Sequence, residues 1–459
     1  MEGIYAIVDW LWSNVIGYLL LGIGLICSIK LGFPQIKHFG QAVNVMRKSM
    51  APNEEEGVSA FGTLMAALGG QLGTGSLVGV ASALVTGGPG AIFWMWMTAL
   101  FGMTISFSEI VLGQLFREKD PHGELTGGPA YYIQKGLGNR PLAVIISILY
   151  VLGIGLAIAS LQTHSIANAF TGVVDIHPIV PGIIVTILAF FVIVGGMKRL
   201  TEVASLIVPV MVILYFLIVA FILVTNFQHI PAIFQMIISS AFNFRSAIGG
   251  AAGWTIVQAF RNGVARGMFS NDAGNGVVAI MHASADVKHP IQQGLLGMMG
   301  TFITTIIVCT LTALAILMTG VLETGLDGIL LLQAAFKIAI GPFGSWVVFI
   351  MILSFGFTAL IADIHYAEAS LTNIFQENDR IPINIYRIIL AILLIVGSAV
   401  QLDVIWAAVD LFVGIIILIN VIAVLRLFKY VKYAYDDYFD QIKHGVEEPI
   451  WEYEKNIVT

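Results

Sequence analysis

Apolar runs long enough to cross a lipid bilayer follow one another almost without pause along this 459-residue chain. About 20 apolar residues span a hydrocarbon core of ~30 Å. On that rule eleven spans are predicted, at 11–33, 57–84, 89–116, 141–169, 179–196, 201–225, 248–284 (interrupted), 290–319, 342–374, 383–398 and 403–426. Only 11% of the residues are charged and 58% are hydrophobic, against about 25% charged in soluble domains. A soluble fold has no interior large enough for that apolar surface. The expected class is an all-α polytopic membrane protein in contact with the lipid bilayer. A net charge of −6 without a basic block gives no sign of nucleic acid, and no obligate protein partner is indicated. The start, MEGIYAIVDW, lacks a basic n-region and carries Glu2 and Asp9, so the first run reads as a retained helix rather than a cleaved signal peptide. Cys27 and Cys309 fall inside apolar runs and read as small core residues rather than a disulfide.

Basic residues set the expected orientation. Lys30, Lys37, Arg47 and Lys48 follow the first span; Arg117, Lys119, Lys135 and Arg140 surround the loop after the third. Lys198 and Arg199, then Lys288, Arg380, and finally Arg426, Lys429 and Lys432 mark later loops on the same side. The alternate loops are nearly free of them, with Lys337 the exception. An odd number of spans, N-terminus outside and C-terminus cytoplasmic, satisfies the positive-inside rule throughout. The tail after 426 mixes aromatics with charge and reads as an interfacial or cytoplasmic helix. Weaker apolar patterns at Phe227–Ser240 and Leu322–Ile340 read as short helices over the outer mouth.

Two spans are badly interrupted. GGQLGTG, Gly69 to Gly75, breaks the second; RGMFSNDAGNG, Arg266 to Gly276, breaks the seventh. Glycine costs about 1 kcal/mol per residue in a helix interior relative to alanine, a load that a helix needed only for crossing would not carry. The two interruptions lie five spans apart, so the broken helices cross the membrane in opposite senses. This is the trace of an inverted repeat in which each half is led by a discontinuous helix. The expected division is 1–56 as an extra helix and loop, 57–228 as the first five-helix repeat, 229–426 as the second, and 427–459 as the tail. Unpaired backbone in hydrocarbon survives only where it lines a cavity or meets a ligand. Freed N–H groups attract a carboxylate and freed carbonyls a cation, which suits a zwitterion carried with Na⁺ or H⁺. Two other readings of the first stretch exist. Gly69, Gly73, Gly75 and Gly79 also form small-xxx-small packing motifs. A dinucleotide fingerprint fails, because Gly79 comes one residue too late and no strand precedes it.

At these residues the chain resembles the alanine or glycine:cation symporter family. The stretches GTGSLVGVASALVTGGPGAIFWMWMTALFGM (Gly73–Met103), GGPAYYIQKGLG (Gly127–Gly138), RGMFSNDAG (Arg266–Gly274) and HPIQQGLLGMMG (His289–Gly300) look like its signature blocks, and the likeness covers nearly the whole chain after the first span. It implies the leucine-transporter-like fold and symport of a small neutral amino acid with Na⁺, or less often H⁺, with no other cofactor and no enzymatic reaction. The chain departs from the family pattern at Ser76, at Thr304, in the block Gln162-Thr163-His164-Ser165, and in IADIHYAE, Ile361 to Glu368. Those departures bear on the number of cation sites and the fine substrate preference.

The resemblance, together with the position of the break, assigns the N–H groups of Thr74 and Gly75 to the substrate carboxylate, with the Thr74 hydroxyl as a further donor. Carbonyls of Gly69 and Leu72 would face a cation shared with the hydroxyls of Thr358 and Ser354; a bond from Thr358 to its own i−4 carbonyl is the alternative. Gln71 and Ser76 are candidates for a second cation. Phe269, Ser270, Asn271 and Asp272 line the second break, Asn271 being the better candidate for substrate contact. Asp272 has three readings: it holds the substrate ammonium, it pairs with Arg261 or Arg266, or it caps the half-helix after it. In the fourth span Gln162 is the favoured contact, and Phe170 a gate or wall, with plain packing as its alternative. Glu109, Asp363, Glu368, Asp410 and Asn420 are further polar residues in or near spans. A small pocket excludes large side chains but discriminates weakly between glycine and alanine, since one methyl is worth only ~1–3 kcal/mol. A proton-coupled symporter, a non-transporting sensor, a channel and an intramembrane enzyme are the competing classes; no zinc motif or nucleophile–base set supports the last.

Overall fold

A computed structural model of the chain describes residues 2–50, 58–242 and 256–452. Among these residues the architecture is helical, apart from one short hairpin that pairs Glu118–Lys119 with Leu125–Thr126. Eight helices are long and apolar enough to cross a membrane. With one shorter apolar helix and two interrupted ones, they account for the eleven predicted spans. In chain order they are α1 (Val8–Leu31), the pair α2 (Ala60–Gln71) and α3 (Val78–Gly87), α4 (Gly90–Leu115), α5 (Arg140–Thr171), the short α6 (Ile179–Ile193) and α7 (Gly196–Thr225). The second pair, α8 (Ile256–Asn271) and α9 (Val277–Ala283), precedes α10 (Pro290–Leu317), α11 (Gly344–Phe375), α12 (Arg380–Gly397) and α13 (Leu402–Lys443). The start expected for the seventh span, at 248, lies outside the described residues.

Both breaks are where the glycine pattern places them. A Ser59 N-cap opens α2, its hydroxyl accepting from the Gly62 N–H at 3.0 Å. The helix stops at Gln71, a single 3₁₀ turn follows at Thr74–Ser76, and α3 resumes at Val78. Between α8 and α9 the backbone leaves helical geometry altogether: Asp272, Gly274 and Gly276 all have positive φ. The halves pack crosswise, α3 against α8 and α2 against α9. At one end Gly87 abuts Asn262, and at the other Val58 bridges to Ala285. A pair of helices whose opposite termini meet in this way is antiparallel, as the inverted repeat requires.

Helices Ile230–Phe242 and Gly328–Ile340 fall where the two weak apolar patterns predicted them. Three stretches depart from the expected regular spans by being π-helical: Trp12–Ile16 in α1, Tyr150–Ile158 in α5 and Phe302–Cys309 in α10. The predicted tail helix is continuous with the last span. α13 runs unbroken for 42 residues, about 63 Å at 1.5 Å per residue, roughly twice the hydrocarbon thickness. No proline or glycine interrupts the helix after Gly414, and Tyr435 and Tyr438 continue its buried face. Among the described residues both cysteines are free and buried.

Candidate substrate and cation site

The two breaks touch. Gln71, the last residue of α2, donates from Nε2 to the carbonyl of Asn271, the last residue of α8, at 2.7 Å. Close approach on the α2–α3 side depends on glycine. A β-carbon on Gly73 would lie 2.6 Å from that of Ala359, and one on Gly75 only 2.9 Å from the Phe269 carbonyl oxygen. Around this crossing lies a small enclosed cavity lined by Gly70, Gln71, Gly73, Gly75, Ile158, Gln162, Phe269, Asp272 and Asp363. Its volume, about 10 Å³ open to the centre of a water-sized sphere, matches one water. As it stands the space is too small for any amino acid, glycine included.

Several candidates therefore converge: Gln71, Gly75, Gln162, Phe269 and Asp272 all line the cavity. Thr74 stands beside it, its N–H donating to Gln162 Oε1 at 3.1 Å. Two buried polar atoms here have no partner, Thr74 Oγ1 and Asn271 Nδ2. Native interiors rarely leave such groups unpaired; Asn271 itself does not line the cavity, and its amide lies against Gly102 of α4. The Tyr366 hydroxyl, also buried and unpartnered, faces Gly70.

Asp272 is neither ion-paired nor a helix cap. Arg266 is engaged with Asp410 in a two-pronged pair at 3.1 and 2.7 Å, and Arg261 pairs with Asp9. The N–H of Val277, at the start of α9, is taken by Asn275 Oδ1 at 3.1 Å, while Asn275 Nδ2 donates to Asp272 Oδ1 at 2.8 Å. A positive φ at Asp272 turns the chain out of α8, so its carboxylate sits on the cavity instead of over the next helix.

Thr358 meets α2 as expected. Its hydroxyl lies 3.2 Å from the Gly69 carbonyl, and also 3.1 Å from the carbonyls of Ser354 and Phe355. The bond of Thr358 to its own i−4 carbonyl is thus present, alongside the contact with Gly69. One hydroxyl proton serves three carbonyl oxygens, and an all-oxygen cluster of this kind suits a hard cation. The Ser354 hydroxyl itself turns back to the Ile350 carbonyl at 2.8 Å, so Ser354 brings its carbonyl to the cluster rather than its side chain. Leu72 closes α2, its N–H bonded to Leu68 at 2.7 Å.

Ser76 and Ser270 face a separate cluster. Their hydroxyls are 3.1 Å apart, and Ser270 also reaches Thr305 at 3.1 Å and the Cys309 sulfur at 2.9 Å. Here the hydroxyls satisfy one another. Gln71 spends its amide nitrogen on Asn271, away from Ser76. The paired cation role for Gln71 and Ser76 is thus not assembled in this arrangement. Phe170 is not at the cavity. It packs against Phe349 of α11 with ring centroids 5.0 Å apart. Eight residues beyond Gln162, it lies about 12 Å further along the helix.

Sequence reasoning placed Asp363 among the spans without assigning it to the site. It lines the cavity, 3.4 Å from Gln162 Nε2. An acid within a span was the available signal. Nothing in the sequence marked the cover on the other side of Phe269. Trp406 meets Phe269 edge to face at 4.9 Å, and the Arg266 guanidinium stacks on Trp406 at 3.7 Å. Beyond this layer opens a second cavity of about 730 Å³, bounded by Arg266, Asp410, Trp406, Asp327 and Asp403.

Two interrupted, antiparallel helices meeting at a buried polar cavity in a bundle of membrane-crossing helices define a secondary transporter. The profile of the sodium:alanine symporter family matches residues 1–452. The chain is 38% identical to the "Amino-acid carrier protein AlsT" of Bacillus subtilis, covering 96% of this chain and 92% of that one. It is 35% identical to the "Sodium/alanine symporter AgcS" of Methanococcus maripaludis, covering 91% and 93%. Among solved structures, that of MhsT in complex with L-phenylalanine superposes with a TM-score of 0.57 at 14% identity, covering 82% of this chain and 100% of the other. That likeness shows the shared fold. The chain belongs to the sodium:alanine symporter family, and so is a multi-pass membrane amino-acid symporter, not an enzyme.

Proposed function

We propose that the protein drives small neutral amino acids, alanine and glycine, into the cell by symport with Na⁺ through alternating access, in the cell membrane with its N-terminus outside and C-terminus cytoplasmic. The observation that carries this reading is the crossing of the breaks: Gln71 bonded to Asn271, with Thr74 Oγ1 left unpaired beside a small cavity that Gln162, Asp272 and Asp363 line. The substrate carboxylate is received by Thr74 and Gly75: the Thr74 N–H, accepted by Gln162 Oε1 at 3.1 Å in the closed arrangement, passes to the carboxylate and is joined by the Gly75 N–H and the Thr74 hydroxyl. Asp272 receives the ammonium, with Gln162 supplying a further polar contact. Phe269 walls the pocket and limits side-chain size. Na⁺ takes the carbonyls of Gly69 and Leu72 with the oxygens of Thr358 and Ser354; a cation there ties α2 to α11.

The layer of Phe269, Trp406 and the Arg266–Asp410 pair is the outer cover, and the cavity beyond it the outer vestibule. In this conformation the cover is shut. Substrate entry parts α8 from α13, and release to the cytoplasm parts the opposite ends of α2 and α9. The driving force is adequate. A potential of ~100 mV contributes about 2.3 kcal/mol per charge, and a tenfold Na⁺ gradient about 1.4 kcal/mol more, enough for a several-hundredfold substrate ratio. Uptake of radiolabelled alanine into proteoliposomes is expected to require an inward Na⁺ gradient and to be competed by glycine. Equal uptake without any cation gradient would overturn the reading.

A further inference from the structure

Where α1 ends, at Leu31, it lies against the middle of α13, and cations gather between the two helices. An open cleft of about 420 Å³ is lined there by Lys30, Leu425, Arg426, Phe428, Lys429 and Lys432, with no acid among them. Lys432 is paired with Asp436 of its own helix. Among the described residues the other three cations are in no ion pair. Lys30 and Lys429 stand over aromatic rings instead, 5.4 Å from the centre of Phe428 and 4.8 Å from that of Tyr430. Arg426, Lys429 and Lys432 recur every third residue along one flank of α13, where like charges repel. Orientation in the membrane asks for basic residues in this region, but not for their collection on a single cleft.

The height of the cleft is that of a membrane surface. Arg426 lies about 36 Å along α13 from its start at Leu402, just past a hydrocarbon core of ~30 Å. One turn towards the core from Lys30 is Ile26, and one turn towards the core from Arg426 is Ile422, each on the same helix face as its cation. Both are exposed, Ile26 at 40% and Ile422 at 46%. The cations thus stand at headgroup level, with an apolar wall beneath them at acyl-chain level. A free anion would meet only the cations, whereas a phosphate joined to an acyl chain covers both.

We propose that this cleft is a binding site for one phospholipid with an anionic headgroup. Arg426 takes the phosphate as a two-pronged donor, Lys30 and Lys429 as point charges, and an acyl chain lies along Ile26 and Ile422. Basic pockets between membrane helices receive anionic headgroups in this way. The bound lipid relieves the repulsion among the cations. It also ties α1 to α13, the helix whose Asn420 holds the second break. Such a site is independent of which amino acid or ion the protein carries.

The test is the thermal stability of the full chain, delipidated in a neutral detergent and then supplied with phosphatidylglycerol, phosphatidylcholine or inorganic phosphate. Each variant's gain is read against its own lipid-free value. Phosphatidylglycerol is expected to raise the unfolding temperature of the wild type by about 5 °C, with no comparable gain from the other two. The triple change Lys30→Gln, Arg426→Gln and Lys429→Gln is expected to abolish the gain. Lys198→Gln with Arg199→Gln removes two cations from another loop and is expected to keep it. No gain in the wild type, an equal gain from phosphatidylcholine, or a gain that survives the triple change would overturn the proposal. So would an equal loss in the Lys198→Gln, Arg199→Gln variant, which would mean a general attraction of basic loops to anionic lipid. An equal gain from inorganic phosphate would make the ligand a free anion and overturn the lipid assignment. Should the triple variant fail to fold, Arg426→Gln alone decides, since that side chain is exposed. It is expected to lose roughly half of the gain, and an undiminished gain would overturn the proposal.

Discussion

The first interruption, between Gln71 and Val78, is held by close packing around glycines, whereas the second, Asp272–Gly276, is held by side chains reaching in from its neighbours. At the first, Gly73 and Gly75 admit Ala359 and Phe269 to within contact, and two side chains reach the backbone, Gln162 accepting the Thr74 N–H and Thr312 donating to the Ser76 carbonyl at 3.0 Å. At the second, Asn420 and Tyr150 donate to the carbonyls of Gly274 and Asn275, and Asn271 and Asn275 take the N–H groups of Ala273 and Val277. The difference follows from how much backbone each break frees. A single 3₁₀ turn keeps most of its own hydrogen bonds. Five residues with three positive φ angles do not, and hydrocarbon offers no water to replace them. The first break thus needs little from its neighbours beyond close packing, and the second is anchored to the scaffold.

The largest test of this contrast lies at the anchor of α8. Removing the carboxylate in Asp410→Ala leaves Arg266 buried without its partner, which costs about 3–5 kcal/mol. A corresponding drop in thermal stability in detergent is expected, recovered in good part by the double change Arg266→Leu with Asp410→Leu. Next comes the packing of the first break. In Gly75→Ala the new methyl meets a backbone carbonyl, and overpacking of this kind costs about 1–3 kcal/mol. Alanine uptake per folded molecule should fall steeply. Gly79→Ala, whose nearest neighbour would be a Phe269 ring atom 3.8 Å away, should transport normally; equal damage from both would sink the close-approach argument. A smaller effect is expected at the oxygen cluster. Thr358→Ala should raise the Na⁺ concentration for half-maximal uptake about tenfold, roughly 1.4 kcal/mol, while Thr358→Ser leaves it near the wild-type value. An unchanged Na⁺ dependence in Thr358→Ala would remove the cation from the first break. The smallest is Tyr150→Phe, which deletes one bond to the second break. A net hydrogen bond is worth about 0.5–1.5 kcal/mol, so a slight loss of stability is expected with Na⁺ affinity untouched. A change in Na⁺ affinity there would mean that the two breaks are not separable.

Much of this was legible without coordinates. The hydropathy of a chain that must satisfy its own backbone in lipid leaves helices as the solution, so the eleven spans and both breaks could be read directly. Glycines at 69, 73 and 75 and the matching run from Arg266 pointed to the site. Other features were not legible. Phe170 had two readings, a gate or wall beside Gln162 and plain packing, and distance along the helix puts it in packing against Phe349. Asp272 had three readings because Arg261 and Arg266 lie near it in sequence; their partners, Asp9 and Asp410, come from far away along the chain. The π-helical stretches left no trace, since they shift the register of hydrogen bonds without changing composition.

What the sequence by itself determined is therefore the class: a membrane bundle with two discontinuous helices in opposite senses. Apolar length and glycine placement act locally, through the price of unpaired backbone in lipid. Only the tertiary structure decided which polar groups are left over. Gln71 meets Asn271 across 200 residues, Thr358 meets Gly69 across 289, and Asn420 meets Glu109 across 311. A free hydroxyl on Thr74 is defined by what fails to reach it. That depends on every helix packed around it, and no local pattern records it.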